Sequence, residues 1–181
     1  MKKLLVVFFI TSIFLLGCQN NLNTPTSTVE QFFSKYQKLD KDVLNDLDKV
    51  IKKEKNMNEE QKKIYKTIME RQYQNLSYKI SNEEVVNNTA TVDVEIEVLD
   101  YSGTIKRAKK YYFEHPKEFN YTIENDSLEN TENYINYKLE KLSDVKEKNK
   151  YELTLTLTKE DNIWSINKLS DSDIEKIHGL Y

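Results

Sequence analysis

The chain reads as an α+β fold built on an antiparallel sheet, and three stretches carry that reading. Apolar residues recur at helical spacing in Val29, Phe32, Phe33, Tyr36, Leu39, Val43, Leu44, Leu47, Val50 and Ile51. Ala90, Val92, Val94, Ile96 and Val98 instead alternate with Thr91, Asp93, Glu95 and Glu97, the pattern of a strand with one wet face. Tyr151, Leu153, Leu155 and Leu157 repeat that alternation against Glu152, Thr154, Thr156 and Thr158. Helices and hairpins come in separate runs, which favours helices laid on an antiparallel sheet over βαβ units.

The first stretch of the chain stands outside this fold. Lys2 and Lys3 precede thirteen uncharged, mostly apolar residues, Leu4 to Leu16. As a helix they would span about 20 Å, short of the ~30 Å hydrocarbon core, so a secretory signal fits better than a membrane span. The only cysteine, Cys18, follows directly. Leu15-Leu16-Gly17-Cys18 resembles the lipobox of bacterial lipoproteins, in which small residues before an invariant cysteine let the signal peptidase cut. The resemblance implies that Cys18 carries a diacylglycerol and becomes the mature N-terminus. Two acyl chains anchor stably where one does not, so Cys18 would be a tether and not a nucleophile or metal ligand. The other reading is an unprocessed apolar helix with a bystander cysteine.

Removing residues 1–17 leaves 164 residues, enough for one domain, and shifts the net charge from −3 to −5. An acidic surface repels nucleic acid and anionic headgroups, which argues against a nucleic-acid partner. Without a second cysteine there is no disulfide framework. The abundance of Lys, Asn, Ile, Glu and Tyr suggests an AT-rich genome. The polar QNNLNTPTST after Cys18 reads as a linker spanning roughly 18 Å, which holds the domain close to the membrane. The expected division is 1–17 signal peptide, 18–27 lipidated cysteine and linker, and 28–181 one domain.

Within the domain, Ser27 and Glu30 form a capping-box signature. Behind it lies one long helix or two meeting near Asp40. Asn58 and Gln61 start another helix, with Ile64, Tyr65 and Ile68 on one face. Beyond Arg71 the period becomes two, with Leu76, Tyr78 and Ile80 forming a strand, and Asn87-Asn88 turns it into the second strand. Ser102 to His115 is a helix closed by Pro116. Residues 117–130 lack periodicity, and a helix follows over 131–148 through Ile135, Leu139, Leu142 and Val145. A second hairpin turns at Lys159 to Asn162, and Asp171 to His178 is a short helix ended by Gly179.

In this order of elements the chain resembles small lipoproteins of low-GC Gram-positive bacteria with an NTF2-like soluble part. STVEQFFSKYQKLDKDVL and KEDNIWSINKLSDSDIEKIHGLY carry the resemblance most closely. It implies a cone in which long N-terminal helices pack on a curved antiparallel sheet, with room for a pocket, and it brings no catalytic motif.

Several chemistries lack their residues. Gly103 and Gly179, the only glycines after the signal, are too far apart for a phosphate-cradling loop. His115 and His178 lack zinc-site spacing, and no G-x-S-x-G elbow is present. Each histidine lies at a helix end, where an imidazole meets free carbonyls and the helix dipole, or is simply exposed. Tyr65, Tyr73, Tyr78, Tyr101, Tyr111, Tyr112, Tyr121, Tyr134, Tyr137 and Tyr151 either line a cavity with their hydroxyls or pack the margin of a core poor in Phe and Trp. Trp164 reads as a packing anchor. Asp93, Glu95 and Glu97 share one strand face, either a solvated surface or, if that face were concave, a cation or acid–base site.

The leading expectation is a non-enzymatic binding or interaction module of the cell envelope. It is held on the extracytoplasmic face of the cell membrane through a diacylglycerol on Cys18, and its partner is an envelope protein or a small ligand. No cofactor or metal is expected. The runner-up is a small-molecule receptor with a cone pocket, and an NTF2-like acid–base enzyme comes third.

Overall fold

The computed structural model describes residues 23–119 and 131–181. Cys18 and its lipobox lie outside them, as do Tyr121 and most of the aperiodic 117–130 stretch. The elements are α1 (Pro25–Gln37), α2 (Lys41–Lys53), α3 (Glu59–Asn75), β1 (Ser77–Val86), β2 (Thr89–Leu99), α4 (Tyr101–Glu114), α5 (Glu132–Ser143), β3 (Lys148–Glu160), β4 (Ile163–Ile166) and α6 (Asp171–Ile177). The strands form one antiparallel sheet in the order β1-β2-β3-β4, so the class is α+β.

The N-terminal helical run is two helices. Leu39 turns into the left-handed region at φ 53° and Asp40 caps α2 through its side chain. The predicted box at Asn58 and Gln61 forms reciprocally, each side chain accepting from the other's backbone N–H at 2.9 Å. The hairpin turns also fall where expected. Asn87 has φ 55°, and Asp161 and Asn162 have φ 49° and 64°, the left-handed pair of a two-residue turn that matches strand twist.

Two boundaries correct the sequence reading. The first helix starts at Pro25, inside the stretch assigned to the linker. Thr24 is the cap and Ser27 its third-position partner, so Ser27 accepts a role one turn inside the helix. Proline at the first helical position, where its missing N–H costs nothing, sets that start. The helix expected over 131–148 ends at Ser143. Arg71 donates to the carbonyls of Ser143 and Val145, and Lys148 is already paired with Leu99 in the sheet. Cross-strand pairing along the whole of β2 wins over the helical propensity of the lysine-rich tail.

The apolar face of the sheet is closed. Val92, Val94, Ile96 and Val98 are fully buried, and with Leu153, Leu155, Leu157 and Trp164 they pack against Val29 and Phe33 of α1 and Ile177 of α6. Full burial of each such side chain is worth about 1.5–3 kcal/mol. A second core joins Leu47 and Ile51 of α2, Ile68 and Met69 of α3, Tyr101, and Ile135, Leu139 and Leu142 of α5. Between these two cores, α1, α2, α3 and α6 leave a groove.

Candidate functional site

The groove has a volume of about 420 Å³, within the roughly 300–1,000 Å³ of small-molecule sites. Its floor is apolar and aromatic. Phe32 and Tyr36 come from α1, Val43, Leu47 and Val50 from α2, and Tyr65, Met69 and Tyr73 from α3; Leu169 and Ile174 close the side towards α6. The i, i+4 and i, i+3 spacings of Val43-Leu47-Val50 and of Tyr65-Met69-Tyr73 set each row on one helix face. Val50 is 50 % exposed, a large apolar side chain left open at the rim.

One polar pair lies in this floor. The Tyr73 hydroxyl stands 3.1 Å from His178 Nε2, and the Tyr36 ring meets Tyr73 edge-on at 5.0 Å. Burial lowers the His178 pKa to about 4, because a charged imidazole would lose its water there, so the ring is neutral at pH 7. Burial likewise pushes the Tyr65 hydroxyl up to about 12, with a smaller contribution from Glu54, and raises Tyr73. Tyr36 is raised by burial and then by Asp46. All three hydroxyls keep their protons and can donate. Those of Tyr36 and Tyr65 have no hydrogen-bond partner among the described residues, and neither is sealed from the groove.

His178 corrects the sequence reading, which treated it as a dipole-interacting or exposed residue. It caps the C-terminal end of α6, but its ring turns inward onto Tyr73. Gly179 makes that turn at φ +70°, where an added Cβ would come within 2.1 Å of Gln72 Nε2 and 2.3 Å of the Leu99 carbonyl oxygen. Glycine is required there for both its positive φ and the close approach. Gln72 of α3 in turn accepts from the Leu99 N–H at 2.9 Å and donates to the Leu99 carbonyl at 3.2 Å, joining α3 to the end of β2 where Gly179 packs.

The other candidates take simpler places. His115 caps α4, with Nδ1 2.9 Å from the Tyr111 carbonyl oxygen and its ring stacked on Tyr111 at 4.0 Å. Asp93, Glu95 and Glu97 lie on the outer face of the sheet. Asp93 accepts from Thr154 at 2.7 Å, while Lys150 and Lys148 pair with Glu95 and Glu97 at 2.8 and 3.1 Å. The concave-face alternative for them is therefore set aside. Tyr101 is a core residue whose hydroxyl donates to the Ile68 carbonyl, and Tyr112 and Tyr134 pack edge-on at 5.0 Å beside Phe119. Trp164 is buried, its backbone N–H bonded to the Asn23 side chain at 3.2 Å.

Of the described tyrosines, Tyr36, Tyr65 and Tyr73 line the groove, Tyr101, Tyr112 and Tyr134 are buried, and Tyr111 and Tyr181 are exposed. No group of three or more His, Cys, Asp or Glu side chains among the described residues is arranged to hold a metal ion. Nor is any helix among them long and apolar enough to cross a membrane. Compared with known proteins, the chain matches no family model, no curated protein and no solved structure.

Proposed function

We propose that this chain is a lipoprotein of the cell envelope, tethered to the extracytoplasmic face of the cell membrane through a diacylglycerol on Cys18, and that it acts as a non-enzymatic binding module. The tether reading is supported by the lipobox sequence Leu15-Leu16-Gly17-Cys18 directly after an apolar run too short to span a bilayer. The domain reading is supported by α1 lying across an antiparallel sheet, the arrangement expected of an NTF2-like cone.

The observation that carries the binding role is the groove. It joins an apolar floor to the hydroxyls of Tyr36 and Tyr65, which have no hydrogen-bond partners among the described residues, and to a neutral histidine. Such a surface recognises by burial and hydrogen bonding. The cone-pocket receptor is the second reading, with one change: the ligand would enter between helices, because the sheet's apolar face is filled by Val92, Val94, Leu153 and Leu155.

Membrane fractionation tests the tether. The full chain, expressed in a bacterial host and fed an alkyne-labelled fatty acid, should carry the label and sediment with membranes. Cys18→Ala should lose both. Equal labelling of the two forms would overturn the proposal.

A further inference from the structure

The groove's charges are unevenly compensated. Four charged residues stand on its rim: Asp42 and Asp46 of α2, Lys35 of α1 and Lys168 between β4 and α6. Asp46 pairs at 2.8 Å with Lys49, which lies outside the groove, whereas Asp42 forms no ion pair among the described residues. Lys35 and Lys168 are exposed and form no ion pair among the described residues. Among the described residues, a ligand in the groove meets two unpaired cations, Lys35 and Lys168, against one unpaired carboxylate, Asp42.

The floor adds a second feature. The hydroxyls of Tyr36 and Tyr65 have no hydrogen-bond partners among the described residues, and they are donors rather than anions at neutral pH. Lys35 and Lys168, with the hydroxyl donors of Tyr36 and Tyr65 in the same groove, suit a group that only accepts hydrogen bonds. A carboxylate is such a group. The rest of the floor offers Phe32, Leu47, Met69 and Leu169, which suits a chain of methylenes.

Size narrows the class. At about 420 Å³ the groove lies in the lower part of the roughly 300–1,000 Å³ range of small-molecule sites, a scale that suits a single-chain amphiphile. We infer that the groove between α1, α2, α3 and α6 binds a single-chain amphiphilic carboxylate, its tail on the aromatic and aliphatic floor and its head held by Lys35 and Lys168. This inference rests on the binding-module reading and assigns the ligand class.

The test uses the mature chain, residues 18–181 with Cys18→Ser, titrated calorimetrically with dodecanoate, dodecanol and dodecylamine below their micelle concentrations. Dodecanoate should bind, and dodecylamine should bind more weakly by about fivefold or more, the range open to surface ion pairs. Lys35→Glu with Lys168→Glu, both at exposed positions where a charge stays solvated, should remove that preference and leave dodecanol unchanged. Val50→Trp, which fills the open rim, should weaken all three ligands. If dodecanol and dodecanoate bind equally and Val50→Trp blocks both, the carboxylate assignment falls and the binding groove stands. If no probe binds, or Val50→Trp changes nothing, both fall. Light scattering that shows a second copy of the chain covering the groove, with no dodecanoate uptake, would also overturn the assignment.

Discussion

The Tyr73 hydroxyl and His178 Nε2, 105 positions apart in the chain, meet at 3.1 Å, with ring centroids 5.6 Å apart. This contact ties the end of α6 to α3 and makes a neutral imidazole part of an apolar floor. Its consequence is a pH dependence.

Burial lowers the His178 pKa from 6.5 to about 4. Above pH 6.5 the ring is neutral whether the chain is folded or not, and this stability is fully present. As pH falls towards 4 the unfolded chain takes up a proton that the folded chain refuses, and stability declines by on the order of 3 kcal/mol. Below pH 4 both states are charged and the decline from this group stops. Glu95, whose carboxyl Lys150 holds below its usual range, adds its own loss only at lower pH. Urea denaturation at pH 7, 6 and 5 should show the decline, and His178→Asn should flatten it between pH 6.5 and 5. An unchanged slope in that variant would remove His178 as the cause.

A second expectation concerns the closing turn of α6. Gly179→Ala forces a Cβ against Gln72 and the Leu99 carbonyl oxygen at a φ of +70°. The left-handed backbone alone costs roughly 1–2 kcal/mol, and displacing Gln72 leaves the buried Leu99 N–H without its partner for about 1–3 kcal/mol more. Chemical denaturation should register a loss of about 2 kcal/mol or more. A loss under about 0.5 kcal/mol would mean that the turn does not fix α6 against β2.

The strand readings were legible because their period of two survives folding unchanged. Val92, Val94, Ile96 and Val98 point inward with the carboxylates between them outward, as the alternation alone implies. The box at Asn58 and Gln61 was legible for the same local reason. The start at Pro25 was misread because Ser27 and Glu30 imitate a cap one turn too late. The end of α5 was misread because what stops it is distant: Arg71 on α3 and the pairing of Lys148 with Leu99. The groove had no local signature. Its residues run from Phe32 to His178, each row looks like an ordinary core face, and only the packing of four helices leaves those faces partly open.

The hairpin offers a paired test of that in/out reading. Val94→Asp places a carboxylate on a fully buried face and should cost several kcal/mol, if the chain folds at all. Glu95→Gln, one residue along, removes only the exposed pair with Lys150 and should stay within about 1 kcal/mol. Equal damage from the two would reverse the assignment of the strand's faces.

Everything proposed about location depends on one covalent event at Cys18, so the mass of the mature N-terminal peptide is the most direct test. Purified from the membrane fraction of expressing cells and digested, the protein should yield an N-terminal peptide that begins at Cys18 and carries the mass of a diacylglycerol on its sulfur. Mild alkaline hydrolysis should release the two ester-linked chains from that peptide. An N-terminal peptide that retains residues 1–17, or one that begins at an unmodified Cys18, would contradict the account.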